Sequence, residues 1–189
     1  MVKIGIVTGS TRDARVNTQV AEYLLEKAKS LNVEGAEFEI VDIKDFNLPE
    51  LNENVPPAMG LKQFDAPEAK PWSDKMDSLD GFIFVTPEYN KNISPSLQNA
   101  LSYLAPEMAN KAAGIVSYGS TLGVAANFAL RNVLSNFNTA VVGPFGAFSL
   151  FTDFEEMSTF RPSDVHNPTI QSVVETTVAW SKALKTVRG

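Results

Sequence analysis

The 189-residue sequence contains no cysteine and a single histidine, His166. The first absence removes a disulfide framework, thiolate zinc sites, thiol nucleophiles and iron–sulfur clusters. The second leaves little material for an imidazole metal site or a catalytic triad. Basic residues are a minority as well: 16 Lys and Arg stand against 22 Asp and Glu, a formal net charge of −6. That balance opposes a large footprint on a phosphate backbone, so no nucleic-acid partner is expected, while one small anion in a local basic pocket remains compatible with it. Long apolar runs are missing too. The N-terminal run at residues 4–7 is interrupted by Gly5 and is far too short for a membrane span or a signal-peptide core. The expectation is a cytoplasmic protein with no membrane partner.

What is present describes an ordinary globular chain, 44% hydrophobic and 20% charged, of a length that suits one domain over residues 1–189. Short apolar runs at residues 4–7, 82–85 and 112–117 read as strands buried on both faces. Residues 36–41 alternate as an edge strand does, and residues 139–142 supply a last strand. Helical spacing lies between them. Val20, Leu24, Leu25, Ala28 and Leu31 follow Asn17 or Thr18 as N-cap; Trp72, Met76 and Leu79 form a short helix. Leu97, Ala100, Leu101 and Leu104 follow a Ser94-Pro95 helix start, and Leu122, Ala126, Leu130, Val133 and Phe137 recur in the next helix. Asn167-Pro168 opens a last helix with Val173, Thr177, Trp180, Leu184 and Val187 on its apolar side. Residues 45–71 hold five prolines and read as a long ordered loop.

Alternating strands and helices of these lengths predict an α/β three-layer sandwich around a doubly wound, five-stranded parallel sheet. In such sheets ligands bind beyond the carboxyl ends of the strands, where the winding reverses. Three loops qualify: residues 9–18, 86–93 and 117–123. The first, Gly-Ser-Thr-Arg-Asp-Ala-Arg-Val-Asn-Thr, enters a helix N-terminus, where free amides, hydroxyls and guanidinium groups favour a phosphate monoester. The competing reading is that Ser10, Asn17 and Thr18 cap the helix while Arg12 and Arg15 are solvated. The loop lacks the Gly-Lys-Ser/Thr of a Walker A sequence and the Gly-x-Gly-x-x-Gly of a dinucleotide fold. The second loop places Pro87 at a turn, with the amides of Glu88, Tyr89 and Asn90 available to a flat heteroaromatic ligand beside the Tyr89 ring; an exposed proline turn is the alternative. The third is rich in small residues that permit close backbone approach, or else an ordinary strand-to-helix connection.

Together the three loops resemble the NAD(P)H-dependent FMN reductases of the flavodoxin-like fold, a family that includes quinone-, azo- and chromate-reducing enzymes. Gly9-Ser-Thr-Arg-x-x-Arg is similar to that family's phosphate-loop motif Gly-Ser-x-Arg-x-x-Ser/Arg, and Thr-Pro-Glu-Tyr-Asn at 86–90 matches its isoalloxazine loop without change. Residues 117–123, Ser-Tyr-Gly-Ser-Thr-Leu-Gly, are similar to Ser-Tyr-Gly-Gly-x-Gly-Gly, with Ser120 and Leu122 in place of glycines. The resemblance covers about residues 1–145.

It implies a bound FMN whose phosphate is held by Ser10, Arg12, Arg15, Asn17 and Thr18. Pro87, Glu88, Tyr89 and Asn90 would line the ring, and Ser117, Tyr118, Gly119 and Ser120 would close its other side. It further implies hydride transfer from NADPH or NADH to FMN and on to a small acceptor such as a quinone, in a homodimer or dimer of dimers. No side chain is assigned as acid, base or nucleophile, because the cofactor carries the chemistry. The alternative function is a flavodoxin-type electron carrier without NAD(P)H activity of its own. Arg12 and Arg15 count against it, since flavodoxins hold the phosphate mainly with hydroxyls and amides.

The remaining features are read more plainly. His166 is expected as a loop or capping residue, the acidic run at 153–156 as a solvated turn, and no metal site is predicted. Phe145, Phe148, Phe151 and Phe154 recur every third residue, either lining a partner's active site or folding back into the core. Arg131 and Lys91 either meet a 2′-phosphate or are solvated.

Overall fold

A computed structural model describes residues 1–188. Strands that are apolar on both faces must be covered on both. β1 (Val2–Thr8), β2 (Ala36–Val41), β3 (Gly81–Pro87), β4 (Ala112–Gly119), β5 (Ala140–Val141) and β6 (Gly146–Ser149) form one parallel sheet in the order β2-β1-β3-β4-β5, with β6 also paired to β4. β3 and β4 are buried at every residue, and β2 is the half-buried edge that its alternation predicts.

α1 (Asn17–Ser30) and α5 (Asn167–Arg188) cover one face, against Ile4, Ile6, Ile83, Val85 and Val116. The other face, with Val7, Phe82, Phe84, Ala113 and Ile115, is covered by α2 (Ala69–Asp77), α3 (Pro95–Ser102) and α4 (Val124–Ser135). The buried Trp72 indole in α2 donates to Ala100 O in α3 at 2.8 Å, which joins two helices of that layer. The sheet order is that of the flavodoxin-like fold, and the winding reverses between β1 and β3. The loops that follow β1, β3 and β4 therefore meet at the carboxyl end of the sheet.

Several details depart from the sequence reading. The expected fifth strand is split: β5 pairs with Ala112 and Ala113, β6 with residues 116–119, and four residues lie between them where β4 has two. Arg131 closes this break, donating to Val142 O at 2.9 Å, Gly143 O at 3.3 Å and Asn127 Oδ1 at 2.9 Å. Its guanidinium is thus committed to the fold rather than offered to a ligand. Pro71 lies in the first turn of α2 instead of the preceding loop, a position where its missing N–H costs no helical hydrogen bond. α4 starts only at Val124, so Leu122 belongs to the loop before it.

α5 turns a different stripe inward from the one expected. It buries Ile170, Val173, Val174, Thr177, Val178 and Ser181, and leaves Trp180 44% and Val187 63% exposed. The reason lies in the sheet: a Cβ on Gly114 would fall 2.6 Å from Thr177 Oγ1, and one on Gly81 2.1 Å from Ser181 Oγ. Helix and strands approach so closely there that only small side chains fit, and the large Trp180 is turned out.

The helical layer also carries a buried cation. Lys111 is 3% exposed, and its Nζ donates to Met76 O and Asp77 O at the carboxyl end of α2, both at 2.9 Å. Burial pushes its pKa down to about 8. Between about pH 8 and the unfolded value near 10.5 the unfolded chain holds a proton that the folded chain has released, so stability from this group rises with pH across that window. Wild-type protein should accordingly gain stability relative to Lys111→Met as pH rises from about 8 to about 10.5, by up to a few kcal/mol. Denaturant titrations of the two proteins across this range check it; a pH-independent difference contradicts it.

Candidate functional site

The loop after β1 is shaped from beneath. Asn17, fully buried, accepts from Gly9 N–H at 2.9 Å and donates to Val85 O at 3.0 Å, which ties the loop to the end of β3. Ser94 caps α3 by accepting from Leu97 N–H at 3.0 Å, as its sequence position predicts, and its hydroxyl donates to Gly9 O. Asn17 therefore acts inside the fold; the N-cap of α1 is Val16, which brings no side-chain hydrogen bond, and the first turn contains no acidic residue. The amides at this helix end and the positive end of its dipole are left for whatever lies in front of them.

Two of the loop's charges are spent locally. Arg15, 11% exposed, pairs with Asp42 at 2.5 Å, and Asp42 also accepts from Thr8 Oγ1 at 2.8 Å and Lys44 N–H at 3.0 Å. Asp13 pairs with Lys44, which lowers its pKa. These contacts fasten the loop to the short 3₁₀ helix after β2. Arg12 is different: it is exposed, and its contact with the Tyr89 hydroxyl raises its pKa. Ser10 Oγ lies 3.4 Å from the same hydroxyl.

The loop after β3 turns tightly. Tyr89 and Asn92 exchange both backbone hydrogen bonds at 2.9 Å, with Asn90 and Lys91 in the left-handed region at φ 51° and 63°. Glu88 N–H donates to Tyr118 O at 3.0 Å. Of the three amides expected to face a ligand, two are thus occupied, and only that of Asn90 has no backbone partner among the described residues.

Glu88 itself is turned away from solvent. Its side chain is 6% exposed and accepts from Thr121 Oγ1 at 3.0 Å, Ala125 N–H at 3.0 Å, Ala126 N–H at 3.4 Å and Lys91 Nζ at 3.2 Å. α4 has glycine, Gly123, as its own N-cap, so the cap is supplied by a carboxylate from the neighbouring loop. Burial pushes the Glu88 carboxyl up, but these hydrogen bonds outweigh it and hold the pKa below the ordinary value. Lys91 is occupied here, by Glu88 and by Thr121 Oγ1 at 3.1 Å.

In the third loop Ser117 is buried, its hydroxyl donating to Leu122 O at 3.1 Å. Leu122 and Gly123 are both left-handed, at φ 62° and 68°. The glycine that the resembled motif carries at this position is thus the residue the backbone favours, and Leu122 sits there 42% exposed. Tyr118 is buried, which pushes its hydroxyl pKa up, and its ring lies 5.8 Å from Phe154.

Between these loops lies a crevice of about 170 Å³. Arg12 and Arg15 border it from the first loop, Pro87, Glu88 and Tyr89 from the second, and Tyr118 and Gly119 from the third. Ser10 joins through Tyr89. Asn17 and Ser117 lie beneath it as ties; Thr18 is half-buried in the first turn of α1, and Asn90 and Ser120 are exposed at loop tips. Sequence reasoning missed Ala14, Val16, Leu150 and Met157, which also line the crevice, and Asp42, which takes Arg15. No local motif marks them. A larger hollow of about 800 Å³ lies between residues 43–51 and α3 and touches the first loop at Thr11, but its lining has no convergent set of charges.

One further expectation is corrected, and another is decided in part. Asp153 in the acidic run is 3% exposed and pairs with His166 Nε2 at 2.7 Å, so that run is partly a buried anchor. Of the four regularly spaced phenylalanines, Phe148 and Phe154 are buried in the core, Phe151 is 68% exposed, and Phe145 lies beside the Arg131 guanidinium.

The sequence model of the family described as NADPH-dependent FMN reductase matches residues 2–153. The chain belongs to this family. As a member of the NADPH-dependent FMN reductase family it is 40% identical, over 71% of its length and 68% of the other protein's, to the NAD(P)H-dependent FMN reductase ntnL of a Nectria species. It is 30% identical, over 97% of both chains, to a quinone reductase of Pseudomonas putida. The solved structure of FerB, a flavoenzyme NAD(P)H:(acceptor) oxidoreductase from Paracoccus denitrificans, superposes with a TM-score of 0.72 at 21% identity, over 97% of this chain and 98% of that one, and shares the fold.

Two substitutions test the loop physics. Glu88→Gln removes the charge that faces α4 and should lower stability at neutral pH by roughly 2 kcal/mol. Because the folded carboxyl titrates below its unfolded value, the gap between wild type and variant is full above the ordinary carboxylate range and closes as pH falls through the folded pKa; denaturant titrations at several pH values read it. At position 122, Leu122→Gly should be more stable than Leu122→Ala by about 1 kcal/mol, the reverse of the order at a right-handed site. Thermal denaturation of the pair decides, and an alanine variant at least as stable rules out backbone strain there.

Proposed function

We propose that the protein is an FMN-dependent NAD(P)H oxidoreductase, taking hydride from NADPH or NADH and delivering it to a small acceptor of quinone type. The observation that carries this is the uncapped N-terminus of α1, with Arg12 exposed before it, opening onto a crevice walled by Pro87, Tyr89 and Tyr118. That donor set fits a phosphate monoester joined to a flat ring. FMN, when bound, supplies the hydride chemistry.

The chain's own residues do the rest. Ser10, Arg12 and the first amides of α1, with the Thr18 hydroxyl, hold the phosphate. Arg15 and Asn17 serve it indirectly by fixing the loop through Asp42, Gly9 and Val85. Pro87, Tyr89, Tyr118 and Gly119 line the ring, the free amide of Asn90 donates toward it, and Ser120 borders its open side. Glu88 and Ser117 keep these loops at a fixed separation. No side chain is required as acid, base or nucleophile.

The reading takes residues 1–189 as one domain, working in the cytoplasm, where NAD(P)H is supplied. Among the described residues no helix is long and apolar enough to cross a membrane. It also takes the chain as a homodimer or dimer of dimers, supported by the exposed apolar residues Val55, Met59 and Leu61 on the proline-rich excursion.

The test starts with purified protein mixed with FMN, desalted, and titrated anaerobically with NADPH. Wild type should keep a yellow flavin spectrum that NADPH bleaches, and should elute at about twice or four times 20.6 kDa. Arg12→Ala should weaken FMN binding about tenfold. Protein that retains no FMN overturns the reading, and retained FMN that NADPH leaves unbleached assigns the chain as an electron carrier instead.

A further inference from the structure

The crevice has a fourth wall that no loop motif announces. After β6 the chain forms a small antiparallel hairpin, β7 (Phe154–Glu155) with β8 (Thr159–Phe160). Its tip passes through Glu156 and Met157 at φ 50° and 54°, with Ser158 N–H donating to Glu155 O at 3.1 Å. Both tip residues are left-handed without being glycine or asparagine, a conformation that costs free energy and persists only where the surroundings enforce it.

The surroundings here are extensive. Gln19, in the first turn of α1, donates to Ser158 O at 2.9 Å and accepts from Phe160 N–H at 2.8 Å, gripping both sides of the tip. Phe160 packs against Phe148 at 4.8 Å, Phe154 at 4.9 Å and Tyr23 at 5.4 Å. Asp153 at the base of the hairpin is held by His166. Leu150 N–H donates to Gly119 O at 3.1 Å, which joins the segment to the third loop. A strained tip gripped from α1 and joined to the β4 loop would be wasted if Met157 went into the core. It does not: Met157 is 57% exposed and lines the crevice, as does Leu150.

We propose that the β7–β8 hairpin is part of the flavin cradle and that Met157 is a ring-contacting, affinity-determining residue, its flexible polarisable side chain lying against the heteroaromatic system while Arg12 takes the phosphate. A thioether makes favourable contacts with aromatic ring edges and adapts to their shape. This rests on the reading of the site as an FMN site. The ligand's two ends then answer to different residues: the phosphate to Arg12, the ring to Met157.

Dissociation constants of FMN and of riboflavin, measured by quenching of flavin fluorescence, separate those contributions. Met157→Asn suits the test because asparagine tolerates the left-handed backbone and replaces the apolar contact by a polar one. It should weaken FMN and riboflavin alike by about 5- to 20-fold, with the thermal midpoint of the flavin-free protein unchanged, while Met157→Leu stays within about twofold of wild type for both flavins. Arg12→Ala should weaken FMN alone. Should Met157→Asn misfold, Met157→Gly, which suits the same backbone, is expected to weaken both flavins likewise. The proposal fails if the folded variant binds both flavins within twofold of wild type, or loses affinity for FMN only. Wild-type protein that binds neither flavin instead overturns the FMN reading itself.

Discussion

A buried carboxylate on one loop closes the end of a helix that follows another loop. Glu88 reaches from the β3 loop to the first amides of α4, whose own N-cap is a glycine with nothing to offer. The contact satisfies donors that burial would otherwise leave orphaned, and it fixes the distance between the two loops. Much of the crevice depends on that distance. With Glu88 turned back into the protein, Pro87 and Tyr89 stand on one side and Tyr118 and Gly119 on the other.

The same economy recurs at the first loop. Its polar groups divide into those that hold the loop and those that remain available. Asn17 is consumed by Gly9 and Val85, and Arg15 by Asp42. What remains is Arg12, with the Ser10 hydroxyl and the uncapped start of α1. Preorganisation of this sort lets a ligand be bound without the cost of ordering the loop at the moment of binding. It also explains why one side of the crevice carries free positive charge although the chain as a whole is acidic.

Much of the fold was legible in the sequence because its signals are local. Apolar runs too short for helices, Ser94-Pro95 at a helix start and the alternation of residues 36–41 each reflect a preference that the folded chain keeps. The departures arise where a long-range contact outranks a local pattern. α5 follows the glycines of the sheet rather than its own apolar spacing, so that Thr177 and Ser181 are buried and Trp180 is not. The last strand breaks at residues 142–145, where Arg131 supplies the missing partners.

At the site the division is the same. The loop sequences alone determined which three connections meet beyond the sheet, the motifs that mark the family, and the presence of Arg12, Tyr89 and Tyr118 among its walls. A short motif specifies backbone shape, and shape is a local property. The tertiary structure decided which of those side chains are free and which are ties, since that depends on partners such as Asp42, 27 residues from Arg15, and Ala125, 37 residues from Glu88. It alone brought Leu150 and Met157 to the crevice, through a hairpin gripped by Gln19 some 140 residues away in the chain. Such contacts have no sequence signature, because they are selected by what happens to be adjacent after the sheet has formed.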